Sequence, residues 1–288
     1  MKVLHSCHEA FAHAHHVRLE GQRLGFVPTM GALHEGHLAL VRRSKEECDA
    51  TAVSIFVNPT QFGPGEDYQQ YPRTLEQDCQ GLRDLGVDFV FVPTAQDLYP
   101  VGFSTYVHPP RVAEPLEGKF RPGHFRGVAT VVLKLFHIIP ATAAYFGRKD
   151  YQQLLVIRRM VEDLNVPIRI VDCPTVREAD GLAMSSRNRY LSPQQRQAAL
   201  CLWKALNAAR ERLASGEREG AALQRHMLDV LYDQGADRVD YAVVADPDTL
   251  EPLQEVDRTA IALIAAHVGK TRLIDNLLLE PSPPDEPN

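Results

Sequence analysis

Two histidines flanked by glycines lie three residues apart near the N-terminus, in a pattern that could hold an anion: His34 and His37, with Gly31 and Gly36 beside them. A short apolar run precedes them and a helical pattern follows, which is typical of a turn between a strand and a helix. The first turn of a helix has free N–H groups and the positive end of the helix dipole, and glycine lets a phosphate approach the backbone closely. The segment therefore predicts a phosphate site, to which the imidazoles add further donors.

The spacing of this turn excludes three familiar nucleotide and metal motifs. Gly31 and Gly36 are spaced as in the phosphate loop of nucleoside triphosphatases, but that loop continues with Lys and then Ser or Thr, where this chain has His37 and Leu38. A dinucleotide-binding turn needs G-x-G-x-x-G, and a zinc protease needs H-E-x-x-H. Taken alone, the segment could equally be a loop with two exposed histidines.

The elements around this turn predict an α/β domain, built on a doubly wound parallel sheet, over residues 1–174. Apolar runs alternate with helical patterns there, and the runs are nearly continuous, as in strands that are buried on both faces. The predicted strands are 24–28, 52–57, 87–92, 143–146 and 168–171. The predicted helices between them are 37–47, 74–85, 128–139 and 151–164.

From about residue 175 the pattern changes and predicts a smaller α+β domain over residues 175–280, which could act as a lid. Ser192 followed by Pro193 is a helix start that opens a long helix to about residue 215, and a second helix covers 221–232. Strands are predicted at 240–245, 259–268 and 271–279, with the last two joined as a hairpin. The proline-rich, polar residues 281–288 predict a disordered tail.

Composition excludes several classes of protein. The net charge of -6 and the pI near 6.1 argue against a nucleic-acid partner, although small anions could still bind a local basic site. No apolar run approaches the roughly 20 residues of a membrane span, so we expect no membrane insertion. The cysteines are odd in number and show no C-x-x-C pairing, which predicts reduced thiols in a cytoplasmic protein. They are Cys7, Cys48, Cys79, Cys173 and Cys201.

Several histidines near the N-terminus could bind a metal, but their surroundings favour another interpretation. They fall in a predicted amphipathic helix together with Leu4 and Val17, so we interpret them as surface residues. They are His5, His8, His13, His15 and His16.

The polar loops of this chain follow the ends of predicted strands. In a parallel sheet, ligands bind outside the carboxyl ends of the strands, where such loops converge. The loops are the histidine turn and residues 58–63, 147–150 and 176–189, the last of which offers hydroxyls and guanidinium groups that could bind phosphate oxygens. Although the last loop alone could be a solvated linker, the four loops together predict one site.

Together these segments resemble the pantothenate synthetases, AMP-forming ligases that join pantoate to β-alanine and belong to the nucleotidyltransferases with an H-x-G-H turn. The similarity extends over nearly the full chain and rests on residues 28–37, 56–62, 71–74, 121–128, 147–154 and 180–188. It implies a Rossmann-like N-terminal domain, a smaller C-terminal domain, a homodimer and a cytoplasmic role in pantothenate biosynthesis. The implied reaction uses ATP with Mg²⁺ and passes through a pantoyl-adenylate, releasing pyrophosphate and then AMP.

The resemblance also implies which residues carry the reaction. His34 and His37 would contact the ATP phosphates, with His37 as the candidate acid, and Lys149 would bridge the pantoate carboxylate and the phosphates. Residues 185–187 would hold the outgoing phosphates. The implied ATP site is Met30, Gly31, His34, His37, Gly147, Lys149, Asp150, Val176, Met184, Ser185, Ser186 and Arg187, of which His34, His37, Lys149 and Arg187 are the implied catalytic residues.

The same resemblance assigns residues to the other two substrates. Gln61 and Gln153 would bind pantoate, together with Met30 and Lys149, because the hydroxyls and carboxylate of pantoate need amides that can both donate and accept. Asn58 and Gln61 would bind β-alanine.

Three further expectations concern the neighbours of these residues. Mg²⁺ should be bound chiefly by phosphates and water, with Asp78 as a candidate for indirect help. Arg148, beside Lys149, is expected to point outward. Residues 63–67 could form a flexible gate over the pantoate pocket.

Three other functions use similar features. An adenylyltransferase would pass AMP to a phosphorylated acceptor, but the two glutamines favour a carboxylic acid. A class I aminoacyl-tRNA synthetase shares the histidine turn, but this chain is acidic and has no recognisable tRNA-binding extension. A non-catalytic nucleotide-binding protein would not need the full set of chemical residues.

Overall fold

The computed structural model describes residues 1–281 and divides into two compact units, Met1–Val176 and a second unit that begins at Arg177. The sequence predicted the change of pattern at about residue 175. Of the predicted tail, residues 282–288 lie outside the described residues. Among residues 1–281, no helix combines the length and the apolar character that crossing a bilayer requires.

The N-terminal unit is built on a six-stranded parallel sheet. Its strands are β1 (Lys2–Leu4), β2 (Leu24–Thr29), β3 (Ala50–Ile55), β4 (Phe89–Phe91), β5 (Ala143–Gly147) and β6 (Arg169–Cys173). Their order across the sheet is β1-β4-β3-β2-β5-β6. The chain therefore leaves β2 toward one edge and later returns to the other side of β2 with β5. This is the Rossmann-like, doubly wound topology that the sequence predicted.

Helices cover both faces of this sheet because side chains along each strand alternate between the faces. The helices are α1 (Cys7–Leu19), α2 (Glu35–Glu47), α3 (Leu75–Asp84), α4 (Ala95–Leu98), α5 (Glu117–Phe120), α6 (His124–Ile138) and α7 (Tyr151–Asp163). Phe26 of β2 packs in the core shared with α1, α6 and α7, whereas its neighbour Val27 packs in the core shared with α2 and α3. The central strands are thus buried on both sides, which explains their nearly continuous apolar sequence.

The first residues of the chain differ from the prediction. Leu4, which the sequence places in the N-terminal helix, lies in β1 and pairs with Phe91 of β4. Helix α1 begins after Ser6, whose side chain accepts a hydrogen bond from the Glu9 N–H, while the Glu9 carboxylate accepts one from the Ser6 N–H. Because this capping box fixes the helix start, His5 lies outside the helix.

The second unit combines helices with an antiparallel sheet, as predicted. Its elements are α8 (Pro193–Ala198), α9 (Leu200–Ala214), α10 (Gly220–Asp233), β7 (Arg238–Ala245), β8 (Ala260–Val268) and β9 (Thr271–Leu279). The predicted long helix is wrong in one respect, because it divides at Ala199. The Ala199 N–H donates to Gln195 at 2.8 Å, whereas the Leu202 N–H reaches only the Ala199 carbonyl, at 3.4 Å, which tightens the turn there.

Gly25 of β2 lies against α2, the helix that follows the histidine turn, and allows a close contact there. A Cβ at this position would lie 2.1 Å from Oγ of Ser44 and 3.2 Å from Sγ of Cys48. Because this overlap would push the helix off the sheet, Gly25→Ala should lower the free energy of unfolding by about 1–3 kcal/mol in urea denaturation.

The matched control for this substitution is Gly81 in α3, where a Cβ would meet nothing within 4 Å. Gly81→Ala should be neutral or stabilise the protein by up to about 1 kcal/mol, since alanine favours the helix. Equal losses of stability in both variants would contradict the importance of the close contact at Gly25.

Candidate active site

The candidate active site lies at the carboxyl ends of β2 and β5, where the sheet order reverses. These two strands pair in parallel through Gly25 with Ala143 and Phe26 with Ala144. The histidine turn follows β2, and residues 148–150 follow β5, which ends at Gly147. In a doubly wound sheet this crevice is the usual ligand site. The topology therefore explains why two segments more than a hundred residues apart contribute to the same site.

A buried carboxylate on α3 holds the histidine turn. Gly31 and Ala32 both have left-handed backbone angles, with φ of +80° and +49°. The N–H groups of Ala32 and Leu33 donate to Oδ2 and Oδ1 of Asp78, each at 2.9 Å, and the Thr74 hydroxyl donates to Oδ1 at 3.1 Å. Asp78 is only 3% exposed. Its carboxylate thus stabilises a conformation that is unfavourable for Ala32 by itself.

The imidazoles occupy N–H groups that were predicted to bind phosphate. His34 is the N-cap of α2, and its Nδ1 accepts a hydrogen bond from the Gly36 N–H at 3.2 Å. Nδ1 of His37 accepts one from the His34 N–H at 3.4 Å, and the two rings lie 4.1 Å apart between centroids. The expectation that these N–H groups are free for phosphate is therefore wrong. The imidazole Nε2 atoms are the remaining donors of this pair.

The protonation of these rings follows from the same contacts. Because Nδ1 accepts in each ring, the proton of the neutral imidazole lies on Nε2. Desolvation by burial, with smaller contributions from His34 and Lys149, lowers the pKa of His37 from 6.5 to about 3, and Asp150 opposes this shift. His37 is therefore neutral at neutral pH. In this state it can donate a hydrogen bond from Nε2 but is not an imidazolium acid.

Lys149 and Asp150 bring the second loop to the histidines. Nζ of Lys149 lies 4.0 Å from Oδ1 of Asp150, and the charges of both side chains influence the pKa of His37. The preceding residue, Arg148, instead donates from Nε to the carboxylate of Asp172 on β6. Arg148 thus pairs at the edge strand, where it shares Asp172 with Arg158, whereas Lys149 supplies the cation beside the imidazoles.

The two amides after β3 have different roles in the structure. Nδ2 of Asn58 donates to Oε1 of Gln61 at 3.0 Å and to the Gly127 carbonyl at 3.2 Å, and its Oδ1 accepts from the Tyr99 hydroxyl at 2.8 Å. Asn58 is only 1% exposed. We therefore revise its predicted contact with β-alanine, because its polar groups are committed to protein partners. Asn58 orients Gln61 instead.

The amide of Gln61 is held less tightly at its nitrogen, which donates only to Sδ of Met30, at 3.3 Å. Thioether sulfur is a weak acceptor, so a substrate oxygen could replace it. Gln153 is half-buried on α7, in the segment that follows Lys149. Its neighbour Gln152 is a structural residue, which donates to the carbonyls of the 112–115 segment.

The predicted phosphate-binding residues Met184, Ser185, Ser186 and Arg187 belong to the second unit. Oγ of Ser185 accepts a hydrogen bond from the Arg187 N–H at 3.3 Å and so caps a short 3-10 helix. Arg177 anchors the preceding hairpin within the same unit. It forms a bidentate pair with Asp275, at 2.6 and 3.0 Å, and lies 3.9 Å over the ring of Trp203. Val176 is the last residue of the first unit.

Sequence reasoning named Asp78 only as a candidate for indirect help with Mg²⁺, and it gave Arg121 and His124 no role in holding these side chains in place. Asp78 fixes the histidine turn, and Arg121 and His124 both donate to the carbonyl of Gln61. The sequence did contain a signal for further functional residues. Residues 71–74 and 121–128 are among the segments on which the family resemblance rests, yet none of the predicted chemistry used them. Among residues 1–281, no three His, Cys, Asp or Glu side chains form a candidate metal site. Of the N-terminal histidines, His13 packs edge-on against Phe89.

The buried ring of His124 should make the protein sensitive to acid. Burial, followed by the charge of Arg121, lowers the pKa of His124 from 6.5 to about 4. Because this folded-state pKa lies below that of the unfolded chain, the unfolded chain takes up a proton first as the pH falls. The free energy of unfolding should therefore decrease between about pH 6.5 and about pH 4.

His124→Asn tests this effect, because the amide can replace the Nδ1–H donor but does not titrate. The thermal midpoint of the variant should lie below that of the wild type at about pH 7.5, and the gap should narrow toward about pH 5. If the difference in thermal midpoint between the variant and the wild type stayed constant over this pH range, His124 would not be a cause of the acid sensitivity.

Comparisons with known proteins identify the family of this chain. Residues 2–278 match the family model described as Pantoate-beta-alanine ligase. A relative named pantothenate synthetase from Chloroflexus aggregans is 55% identical over 280 residues, which are 97% of this chain and 100% of the relative. Another with the same name, from Rhodopirellula baltica, is 57% identical over 259 residues, which are 89% and 91% of the two chains.

Solved structures give the same result. Pantothenate synthetase from Thermus thermophilus has a TM-score of 0.91 at 47% identity, covering 96% of this chain and 99% of that chain. Pantoate-beta-alanine ligase from Francisella tularensis, described as a complex with beta-gamma ATP and beta-alanine, has a TM-score of 0.81 at 38% identity, covering 96% and 97%. The family match, the relatives and the neighbouring structures all extend over nearly the whole sequence, so the chain belongs to the pantoate–β-alanine ligase family.

Proposed function

We propose that this ligase joins pantoate to β-alanine in two steps at the crevice between β2 and β5. A free carboxylate is a poor electrophile, so it must be activated before an amine can attack it. In the first step the pantoate carboxylate attacks the α-phosphorus of ATP and pyrophosphate leaves. In the second step the amine of β-alanine attacks the acyl carbon of the adenylate and AMP leaves.

The observation that carries this proposal is that His34, His37 and Lys149 lie close together at the carboxyl ends of β2 and β5. Both steps develop negative charge on phosphate oxygens, and fixed donors and cations stabilise such charge best. The neutral imidazole of His37 would donate a hydrogen bond from Nε2 to a phosphate oxygen. Lys149 would supply the positive charge that lets two anions, pantoate and ATP, approach each other.

The remaining ATP contacts are proposed on the family resemblance and on the chemistry of the side chains. Gly147 is the last residue of β5 and Asp150 lies just after it, beside Lys149. Met30 and Gly31 belong to the histidine turn. The hydroxyls of Ser185 and Ser186 and the guanidinium of Arg187 suit the β- and γ-phosphates. The anchoring of their loop by Arg177 supports this assignment, since a fixed loop loses less entropy when it binds a ligand.

For pantoate we propose Gln61 and Gln153 as the polar contacts and Met30 as an apolar contact. An amide can donate to a carboxylate or hydroxyl oxygen and accept from a hydroxyl, which matches the groups of pantoate. Gln61 also remains our candidate for β-alanine, whereas Asn58 acts through Gln61.

Lys149→Met provides the sharpest test of the mechanism. Wild-type protein, given ATP, Mg²⁺ and pantoate without β-alanine, should release pyrophosphate and form a bound pantoyl-adenylate, detectable by mass spectrometry. Loss of the bridging cation should slow this step by about 10²-fold or more, while circular dichroism shows an intact fold.

The neighbouring cation gives the control for this test. Arg148→Gln should keep a rate within about threefold of wild type, because Arg148 pairs with Asp172 rather than with the histidines. If adenylate formation were slow in Arg148→Gln and fast in Lys149→Met, then Arg148, and not Lys149, would be the bridging cation. Pyrophosphate release that needs a phosphorylated acceptor instead of pantoate would favour an adenylyltransferase.

Mg²⁺ is proposed as the metal that accompanies ATP. It keeps several water ligands and is bound largely through substrate phosphates, and when bound it neutralises their charge. Asp78 fits an indirect role, because its buried carboxylate already accepts hydrogen bonds from Ala32, Leu33 and Thr74.

Asp78→Asn separates this role from direct coordination of the metal. The amide would turn an N–H toward the N–H of Ala32 or Leu33, so the rate of adenylate formation should fall about tenfold or more. The Mg²⁺ concentration that gives half-maximal activity should stay within about twofold of wild type. A large increase in that concentration would instead show that Asp78 coordinates the metal.

We also propose that the ligase is a cytoplasmic homodimer. The five cysteines are free thiols, which suits a reducing compartment. Sedimentation equilibrium should give about twice the chain mass of 32.2 kDa.

A further inference from the structure

Residues 121–128 take no part in the proposed steps, yet the side chains of Arg121 and His124 converge on the carbonyl of Gln61. We propose that Arg121 is a positioning residue, which joins Glu66 on the 63–73 loop to the backbone of Gln61 and so sets the Gln61 amide for pantoate. This inference rests on the proposed role of Gln61 in binding pantoate.

Gln61 is fixed at both its backbone and its side chain. His124 donates from Nδ1 to the Gln61 carbonyl at 2.8 Å, and Nη2 of Arg121 lies 3.4 Å from the same oxygen. Asn58 donates to the side-chain Oε1 at 3.0 Å. Gln61 is 8% exposed, so these contacts lie away from water. Only the amide nitrogen, paired with the Met30 sulfur, is left with a weak partner that a substrate can replace.

Arg121 binds Glu66 with the geometry of a strong, charge-assisted pair. Its Nε donates to Oε1 and its Nη2 to Oε2 of Glu66, each at 2.7 Å. The third nitrogen, Nη1, lies 3.2 Å from Nε2 of His124 and 3.7 Å from the carboxylate of Glu117. Because the guanidinium can only donate, His124 must accept at Nε2 and keep its proton on Nδ1, facing Gln61. One cation thus connects the loop, α6 and the Gln61 turn.

Close backbone packing prevents the Gln61 turn from shifting relative to α6. A Cβ at Gly127 would lie 2.3 Å from the Thr60 carbonyl oxygen, so only glycine fits there. The Gly127 carbonyl also accepts the hydrogen bond from Asn58. The first turns of α6 therefore act as a rigid support, and Arg121, just before α6, extends that support to the loop.

The loop that Glu66 holds is also a wall of a cavity beside the candidate site. Tyr68, Pro72 and Arg73 of this loop line a cavity of about 260 Å³, whose other walls include Met30 and Gly31. If the Glu66–Arg121 pair breaks, the loop can move away from Met30 and the Gln61 carbonyl loses part of its support. The effect on catalysis should therefore be specific for the substrate that Gln61 binds.

Steady-state kinetics of Arg121→Gln, Glu66→Gln and the double variant test this inference. Each single change should raise the KM for pantoate about tenfold, while kcat and the KM for ATP stay within about threefold of wild type. The double variant should be no worse than either single variant, because the two side chains act as one unit. A merely structural role would lower the fraction of active enzyme, and hence kcat, without a selective rise in this KM.

Arg23→Gln is the matched control. Arg23 forms a comparable two-point pair with Asp49, but it stands before β2, at the opposite end of the strand from the site. The KM of the Arg23→Gln variant for pantoate should equal that of wild type. If Arg121→Gln does not fold, Arg121→Lys, which keeps the charge but loses the bidentate geometry, should give a smaller rise of about threefold.

The outcomes separate this inference from the proposed function. Wild-type protein that releases no pyrophosphate with pantoate would refute the proposed use of pantoate. Wild-type protein that does so, with a normal KM for pantoate in the folded Arg121 and Glu66 variants, would overturn the positioning role alone. Strictly additive effects of the two substitutions would also overturn it.

Discussion

The candidate site depends on the contact between the Asp78 carboxylate and the backbone of the histidine turn. Gly31 and Ala32 turn the chain in the left-handed region, which directs two consecutive N–H groups into the protein. Buried N–H groups need acceptors, and a buried carboxylate needs donors. The hydrogen bonds between them therefore offset the free-energy cost of burying both. The turn so fixed places His34 as the N-cap of α2, and the backbone N–H of His34 orients the His37 ring by donating to its Nδ1.

A second feature of the site is which residues near the histidines supply the positive charge that two anionic substrates need. His37 is neutral because burial keeps its pKa low, and the Nδ1 atoms of both histidines accept backbone N–H groups. The charge of Arg148 is used at Asp172 on the edge strand. In the proposed mechanism the positive charge beside the imidazoles therefore comes from Lys149, where it can screen the pantoate carboxylate from the ATP phosphates.

The sequence predicted the elements whose pattern is local and missed those that depend on distant partners. Strands β2, β3 and β5 are long apolar runs, and their order explains why the histidine turn and Lys149 meet. Strand β1 has three residues and exists through its pairing with β4, and the helix break at Ala199 has no glycine or proline to mark it. Two of the three groups that donate to Asp78 are backbone N–H groups 45 and 46 residues away, which no side-chain pattern records.

The two supports of the site use opposite chemistry for the same purpose. The histidine turn presents N–H groups inward, so an acceptor-only group, the Asp78 carboxylate, holds it. The Gln61 turn presents a carbonyl inward, so donors, the Arg121 guanidinium and the His124 Nδ1–H, hold it. Because each support acts on the backbone, neither support uses the side chains that are proposed to bind substrates. At neutral pH a carboxylate only accepts hydrogen bonds and a guanidinium only donates them, so aspartate and arginine suit the supporting positions. The residues that they support, histidine and glutamine, can both donate and accept.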